Sequence, residues 1–388
     1  MADLIVRPRA TGGFEVIDPF AGVAPQAHAS ADAAIEAAIA SFGREGGELR
    51  LARGDYALGH ALRVPSRVVL SGSGRATRLL VSAGDGVLLE NVDGAVVRDV
   101  AVHARHDDAR RGVILDACGD CRVQDVFAEG FAEAGVWLGN SSFLCELRGV
   151  RAAGNRRAGI VVDDLWIGRG GEWVPCLLSN CIVYGGGHGI EFRRAIVVNV
   201  VGCAVHQSGG HAYYLRDSSN SVVLSGCRSF QVGGDAVHVD GSHEFNATGN
   251  IFCWHRGDGI VLRDVAWATI AGNNVIDSGV RVPDGGLRRG IVIAGDTRGA
   301  QVTGNALFNW GDQCPMAEGI VEEPTAHDNA VVGNNINYTA GAALDCHGAR
   351  STVASNVAVA AAAHVSMGRP PYPDFTLTKL HAFIDAQR

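Results

Sequence analysis

The sequence of 388 residues has little of several features that mark common protein classes. Only 19% of its residues are charged and the net charge is -8, so it has no excess of basic residues to favour binding to nucleic acid or to anionic lipid. No apolar run reaches the roughly 20 residues that a membrane-spanning helix needs. Met (3 residues) and aromatic residues (6%) are scarce, whereas Gly is abundant at 52 residues. This composition favours short strands and tight turns over long helices.

The start of the chain and its cysteines bear on location and metal binding. Residues 1–7 lack the basic-then-apolar pattern of a signal peptide, which predicts a cytoplasmic protein. A reducing compartment disfavours disulfides, although the sequence has 10 cysteines. Cys118 and Cys121 form a CxxC pair with no second pair, so the spacing does not indicate a zinc site. We therefore expect no metal and no cofactor.

A short unit repeats along most of the chain. It reads Gly-Ile-Val-x-Leu, then a linker, then Val-x-Gly-Asn or a close relative, then a Gly-rich turn. The units open at Gly86, Gly112, Gly135, Gly159, Gly189, Ala212, Ala236, Gly259, Gly290 and Gly319. The base period is 23 or 24 residues, and β-branched runs separated by Gly and Asn indicate strands and turns. The repeat predicts an all-β fold, a right-handed single-stranded parallel β-helix of about 11 coils.

The sequence around the repeat predicts four segments. They are an N-terminal segment (1–29), a capping helix (30–44), the β-helix domain (45–368) and a C-terminal tail (369–388). Ser30 is a suitable N-cap, and Ile35, Ile39 and Phe42 follow at helical spacing. The helix is expected to cover the first coil, whose core is otherwise open to water.

Aligning the coils on the opening residue separates side chains that face inward from those that face outward. Two apolar columns, which begin at Val87 and Leu89, are expected to fill the bore. A further inward column passes from Val through three cysteines to asparagines. Its later members are Cys181, Cys203, Cys227, Asn250, Asn273, Asn305, Asn334 and Asn356. The asparagines predict a ladder of amide hydrogen bonds, and the cysteines are expected to be small buried fillers.

Polar and ionisable residues concentrate on the outward face of the middle coils. Neighbouring coils lie roughly 4.8 Å apart and same-face residues of one strand roughly 6.7 Å apart. This registry predicts one patch that contains Asp163, Glu191, Arg193, Tyr214, Arg216, His238 and Asp240. His188, His211, Asp235 and Asp258 stand at the turn just before a strand.

The patch predicts roles for its members. Glu191, Asp163 and Asp240, followed by Asp235, are the candidate acid, base or nucleophile, and Tyr214 and His238 are further candidates for proton transfer. Candidate substrate-binding residues are Arg193, Arg216, Arg263, His188, His211, Trp166 and Trp173. The structural alternative is that the charges merely pair, as in Arg193–Asp163 or Arg216–Asp240.

The coils, together with the segment Asp32–Leu58, resemble the pectin-lyase-like superfamily of right-handed parallel β-helices. This resemblance implies a carbohydrate substrate, because polysaccharide lyases, glycoside hydrolases and uronate epimerases dominate that superfamily. Gly187-His188-Gly189 is similar to a polygalacturonase motif, but the Asn-Thr-Asp of those enzymes and the Asp-Pro-His-Asp of alginate epimerases are absent. No subfamily is assigned.

Three functions are carried forward from the sequence. The first is cleavage of a glycosidic bond by paired carboxylates, as in a glycoside hydrolase or transglycosylase. The second is a polysaccharide lyase or uronate epimerase in which Tyr or His abstracts a proton and Arg neutralises the substrate carboxylate. The third is a non-catalytic glycan-binding protein.

The expected partner is a carbohydrate, without nucleic acid or membrane. Aliphatic outward residues such as Ile114, Val161 and Val292 need cover from loops, from the C-terminal tail or from another subunit, and the last case predicts a homotrimer.

Overall fold

A computed structural model describes residues 2–165, 174–279, 288–309 and 316–360. Within these ranges the chain winds through about 12 turns of a parallel β-solenoid, against about 11 expected from the repeat. Each turn contributes one short strand to each of three sheets, so every strand pairs with the strand one turn before and one turn after it. The predicted all-β solenoid fold is confirmed.

The first sheet has 16 strands. In chain order they are β1 Ala2–Pro8, β2 Phe14–Ile17, β3 Gln26–His28, β4 Gly47–Leu51, β7 Val68–Ser71, β10 Val96–Arg98, β13 Arg122–Gln124, β16 Glu146–Arg148, β19 Cys176–Ser179, β22 Ile196–Val201, β25 Asn220–Ser225, β28 Asn246–Thr248, β31 Thr269–Ala271, β34 Gln301–Thr303, β37 Ala330–Val332 and β40 Thr352–Ala354.

The second sheet has 13 strands. They are β5 Gly54–Leu58, β8 Thr77–Val81, β11 Ala101–Ala104, β14 Phe127–Glu129, β17 Arg151–Ala153, β20 Ile182–Tyr184, β23 Ala204–His206, β26 Arg228–Phe230, β29 Ile251–His255, β32 Asn274–Ser278, β35 Ala306–Phe308, β38 Asn335–Thr339 and β41 Val357–Ala360.

The third sheet, which carries the candidate site, has 12 strands. They are β6 Leu62–Arg63, β9 Gly84–Glu90, β12 Ala109–Asp116, β15 Ala134–Gly139, β18 Ala158–Asp163, β21 His188–Arg193, β24 Tyr213–Arg216, β27 Val237–Asp240, β30 Ile260–Arg263, β33 Arg289–Ala294, β36 Glu318–Glu322 and β39 Leu344–Cys346.

Parallel pairing in register places like residues on like across β12, β15 and β18 of the third sheet. Val113 pairs with Val136, and Val136 with Ile160, and all three side chains are fully buried in the bore. Two residues further on, Leu115, Leu138 and Val162 repeat the pattern. The predicted inward columns therefore form the core, because alternation along a strand sends every second side chain to the same face.

The helix at the start of the solenoid is α1, Ala31–Ser41. The Ser30 hydroxyl accepts a hydrogen bond from the backbone N–H of Ala33 (3.3 Å), as the predicted N-cap requires. Ile35 is fully buried, and the helix packs against β1, β2, β4 and β5. It thus shields the apolar side chains of the first coil from water.

The N-terminal segment contains structure that the repeat did not predict. Strand β1 pairs with β4 in parallel and so extends the first sheet, whereas β2 and β3 add to it as antiparallel strands. These strands lie outside the periodic region, so no column alignment could reveal them. The predicted tail at 369–388 lies outside the described residues.

The predicted asparagine ladder is present in the bore. The Nδ2 group of Asn250 donates to Oδ1 of Asn273 (2.9 Å), and the same bond continues through Asn305, Asn334 and Asn356. Each Oδ1 also accepts a backbone N–H, as Asn273 does from Asn250 (3.0 Å). The ladder satisfies polar groups that water cannot reach. The nine described cysteines are free thiols, and all but Cys346 are buried.

Outward aliphatic residues on either side of the middle coils are covered within this one chain. Ile114, Trp137 and Val161 form a buried cluster separate from the bore, and Val261 and Val292 belong to another. Cover from within the chain was one of the alternatives from the sequence, so these side chains supply no argument for a subunit interface. A homotrimer and a cytoplasmic location stay predictions. Among the described residues, no helix has the length and apolar character that crossing a membrane requires.

We predict that Asn273→Val destabilises the protein strongly. The substitution leaves the backbone N–H and side-chain amide of Asn250 without their acceptor, at a cost of about 1–3 kcal/mol for each buried unsatisfied group. Asn335→Val, at an exposed position in β38, is the matched control and should change the free energy of unfolding little. Denaturant titration of both variants measures this, and equal stabilities would contradict a structural role for the ladder.

Candidate active site

The registry of the third sheet assembles the predicted patch. Glu191 pairs with Tyr214 and Tyr214 with His238, so the three side chains project outward from successive coils at one level. Two residues further along the strands, at the next outward position, Asp163 pairs with Arg193 and Arg193 with Arg216. Residues far apart in sequence thus share one wall.

A second row of side chains lies at the turn where each coil enters the third sheet. Nδ1 of His188 accepts the backbone N–H of His211 (3.0 Å), and Nδ1 of His211 accepts that of Asp235 (3.0 Å). Oδ1 of Asp235 accepts the N–H of Asp258 (2.7 Å), and Oδ1 of Asp258 that of Arg289 (2.7 Å). We call these five residues the turn ladder. It fixes the orientation of both imidazoles, because each neutral ring must then carry its proton on Nε2.

The turn ladder brings its histidines against the outward row. The ring centroids of His188 and His211 lie 5.4 Å apart in a stacked pair, and Tyr214 lies 4.9 Å and 5.0 Å from them. His238 lies 4.6 Å from His211 and meets Tyr214 edge-on at 5.5 Å. The direction of the turn residues, which alternation left open, is therefore toward the patch.

Asp235 and His238 form a dyad on one coil. Nδ1 of His238 lies 2.7 Å from Oδ2 of Asp235, which assigns the ring proton to Nδ1 and leaves Nε2 as an acceptor. Burial opposes the charged form of Asp235, but the hydrogen bond from His238 lowers the pKa of this carboxyl. Nδ1 of His211 lies 3.3 Å from the same carboxylate but accepts the backbone N–H of Asp235, so it does not donate to it. Asp235 is thus a fixed anion that orients His238.

Burial shifts the pKa of two neighbouring rings, His188 and Tyr214. Burial, together with the nearby His211, lowers the pKa of His188, so this ring is neutral near pH 7. Burial also raises the pKa of Tyr214 above its ordinary value, although Arg216 opposes the shift. Tyr214 is consequently a protonated phenol, able to donate a proton but poorly able to accept one.

Glu191 is held in an ion-pair network. Its carboxylate accepts two hydrogen bonds from Arg157 (3.0 Å each) and one from Arg216 (3.0 Å), and its side chain is only 2% exposed. Burial opposes the charge of Glu191, but the guanidinium groups outweigh it and lower the pKa of the carboxyl. A carboxylate in this state cannot serve as a general acid near neutral pH.

The remaining predicted carboxylates differ in their surroundings. Asp163 is paired with Arg193 (2.8 Å) and Arg194 (3.0 Å), which matches one of the structural pairs considered from the sequence. Arg216 pairs with Glu191 and Asp217 rather than with Asp240. Asp240 forms no ion pair with any described residue. Arg263 pairs in register with Asp240 and is exposed.

Three arginines of this site were not predicted from the sequence. They are Arg157, Arg194 and Arg289, the last of which is bound to Asp258. Arg157 stands two residues before Gly159, in the turn where alternation no longer assigns a face. Its long side chain extends to Glu191 on the next coil. Column alignment gives only the direction of the Cα–Cβ bond, so it does not predict a contact made by the far end of an arginine. Trp166 and Trp173 lie outside the described residues, so their predicted role in binding stays a prediction.

The site also contains one group of possible metal ligands. One ring nitrogen each from His211 and His238 and one carboxylate oxygen of Asp235 all lie within 4.8 Å of one another. All three side chains are partly buried. Apart from them, the described residues hold no comparable group of His, Cys, Asp and Glu ligands.

Comparison with known proteins identifies the fold. The family model for the right-handed β-helix region matches residues 134–307 and 188–358. Among curated proteins, none matches this chain in sequence.

Several solved structures share the fold at low sequence identity. The A-module of a mannuronan C-5 epimerase from Azotobacter vinelandii has a TM-score of 0.72 at 17% identity, and the alignment covers 84% of this chain and 94% of that one. The catalytic unit of a family 87 α-1,3-glucanase from Streptomyces thermodiastaticus gives 0.65 at 13%, covering 86% and 67%. A mannuronic acid-specific family 6 polysaccharide lyase from human gut microbiota gives 0.60 at 12%, covering 92% and 93%. At these identities the similarity establishes the fold alone.

We predict that Glu191→Gln lowers stability and flattens its dependence on pH. Because the pKa of Glu191 is lower in the folded protein, its contribution is present above its unfolded value, about 4.3, and is lost as pH falls below it. The loss in the variant should be about 1–3 kcal/mol, less than for a fully buried pair because Arg157 and Arg216 are partly exposed. Urea titrations between pH 7 and pH 3 measure both effects.

Glu90→Gln provides the control for that experiment. Glu90 is paired with Arg63, and both side chains are well exposed, so solvent screens this pair. A variant of Glu191 no less stable than the Glu90 variant would contradict a structural role for the network.

Proposed function

Because the chain belongs to the right-handed β-helix region family, we propose that it is a carbohydrate-active enzyme that abstracts a proton from a uronate residue of a glycan. After proton abstraction, a lyase eliminates the leaving group, whereas an epimerase returns a proton to the same carbon. The observation that carries the proposal is the Asp235–His238 dyad beside the protonated phenol of Tyr214. An acceptor and a donor of protons stand on adjacent coils of one wall.

The dyad supplies the base. Nε2 of His238 takes the proton from the carbon next to the substrate carboxylate, and the electron pair passes into that carboxylate as an enolate. Asp235 holds the ring through Nδ1 and stabilises the imidazolium that forms. Asp235 is therefore a positioning residue, whereas His238 is a catalytic one.

Tyr214 supplies the acid. In the lyase reaction the enolate pair forms a carbon–carbon double bond, the bond to the leaving oxygen breaks, and the phenol protonates that oxygen. In the epimerase reaction the phenol instead returns a proton to the carbon from the opposite side. Both reactions need a donor that is protonated at neutral pH, and burial keeps Tyr214 in that form.

The substrate carboxylate would be met by donors on the same wall. Arg216 uses Nε for Glu191 and one terminal nitrogen for Asp217, and its other terminal nitrogen has no hydrogen bond to a described residue. The Nε2–H groups of His188 and His211 point away from the backbone bonds made by their Nδ1 atoms. These donors would stabilise negative charge on the enolate.

The paired-carboxylate hydrolase, the first expectation from sequence, receives less support from the geometry. Glu191 and Asp163 are each engaged by two arginines, and the lowered pKa of Glu191 removes it as an acid. Asp240 alone remains outside the described ion pairs, and one carboxylate cannot act as both acid and base flanking a bond. Hydrolysis is therefore an outcome that the experiment below must be able to detect.

We predict that a panel of mannuronan, polygalacturonate and α-1,3-glucan separates the three functions. A lyase splits a uronate polymer without gain of water and creates an ultraviolet-absorbing unsaturated end. An epimerase leaves the chain length unchanged but incorporates solvent deuterium at the abstracted position. Cleavage with gain of water would contradict the proposal, and so would binding without turnover.

Two substitutions test the assigned roles. His238→Gln and Tyr214→Phe should each lower kcat by about 10²–10⁴-fold, because each removes one proton-transfer group. His206→Gln and Tyr184→Phe are matched controls, since these residues stack on one another outside the second sheet, away from the site. Equal activity of the site and control variants would overturn the assignment.

A further inference from the structure

We propose that His211, Asp235 and His238 bind one divalent transition metal ion of the zinc class, and that the ion excludes proton transfer by His238. Imidazole nitrogen and carboxylate oxygen are the ligands that zinc takes alongside thiolate, at distances of about 2.0–2.2 Å. The three donor atoms lie within 4.8 Å of one another without an ion, so small side-chain rotations bring them to a common centre. A fourth position is left for water.

The wall holds the ligands in place before any ion arrives. His211 lies between His188 and His238, with centroid distances of 5.4 Å and 4.6 Å. Oδ1 of Asp235 is engaged by the backbone N–H of Asp258 (2.7 Å), which leaves Oδ2 as the metal-binding oxygen. A ligand carboxylate hydrogen-bonded in this way is restrained in orientation, as the outer shell of metal sites generally requires.

The charge around the three ligands favours a cation. Asp235 is an anion, and the nearest carboxylate in the turn ladder, Asp258, is already paired with Arg289 (2.9 Å). Asp240 follows His238 by two residues on the same outward face and is unpaired among the described residues. A divalent ion would thus balance the carboxylates that the local arginines leave uncompensated.

The ion competes with a proton for the same atoms. In the metal-free wall the single proton of the neutral His238 ring lies on Nδ1, 2.7 Å from Oδ2 of Asp235, and an ion bound to Nδ1 moves that proton to Nε2. Nδ1 of His211 lies 3.3 Å from Oδ2 of Asp235 and also accepts the backbone N–H of Asp235 (3.0 Å), so an ion on this nitrogen takes the place of that backbone hydrogen bond. With its proton on Nε2, His238 has no free nitrogen to accept a proton from a substrate. Inhibition by the ion rests on the proposed function, whereas binding itself does not.

Titration of the full-length protein with Zn²⁺ by calorimetry, and with Co²⁺ by visible absorption, tests the site. We expect one ion per chain, and at least tenfold weaker binding in Asp235→Asn and in His238→Gln. His206→Gln, which changes a histidine outside this wall, should bind like the wild type. Circular dichroism establishes that each variant is folded, and the absence of a thiolate-to-cobalt band excludes binding by cysteine.

The outcomes separate the two proposals. Saturable binding that is lost in both site variants supports the metal site even when no glycan is turned over. Equal affinity in the wild type and both variants, or no saturable binding, overturns it. Where uronate turnover is found, Zn²⁺ should inhibit it, and activation would overturn the claim that metal and proton exclude each other.

Discussion

In-register parallel pairing of successive coils is the constraint on which the rest of this molecule depends. It places equivalent residues of neighbouring coils roughly 4.8 Å apart, so residues that share a column in the aligned sequence also touch in the structure. A slip of one residue would move Glu191, Tyr214 and His238 into the bore and Phe192, Leu215 and Val239 out of it. The apolar bore therefore enforces the geometry of the outer wall.

In two places, side chains stacked from coil to coil accept backbone N–H groups of a neighbouring coil. The consequence differs between the buried stack and the exposed one. In the bore, Asn273 accepts the N–H of Asn250 and the amides run on from coil to coil, which contributes stability alone. In the turn ladder, His211 and Asp235 accept the N–H groups of the following coil in the same way, but their side chains are partly exposed. A structural hydrogen bond there also fixes which ring nitrogen faces solvent. The candidate site for proton transfer thus lies where a ladder of stacked side chains is exposed to solvent.

Much of this could be predicted from the sequence, because a period of 23 or 24 residues makes columns directly readable. The bore, the asparagine ladder and the outward row from Glu191 to His238 followed from alternation alone. Three things did not follow. The N-terminal strands β1 to β3 lie outside the repeat, and the turn residues lie where alternation of side chains ends. The partner of a long arginine side chain such as Arg157 depends on where its guanidinium ends, which alternation does not give. Burial of Ile114 and Val292 within one chain was likewise invisible, because columns show direction but not what covers them.

Charge compensation decides which of the polar residues are free to react. Four described carboxylates of the wall face four guanidinium groups: Glu191, Asp163, Asp164 and Asp217 pair with Arg157, Arg193, Arg194 and Arg216. These ion pairs hold the carboxylates in place, and for Glu191 they also lower the pKa, so that it has no proton to give near neutral pH. One coil further on, histidine replaces arginine as the partner of Asp235, although an arginine, Arg289, again pairs with Asp258 beyond it. Because imidazole, unlike guanidinium, can gain and lose a proton near neutral pH, the change of partner from Arg to His marks the point where a structural ion-pair ladder becomes a site for proton transfer.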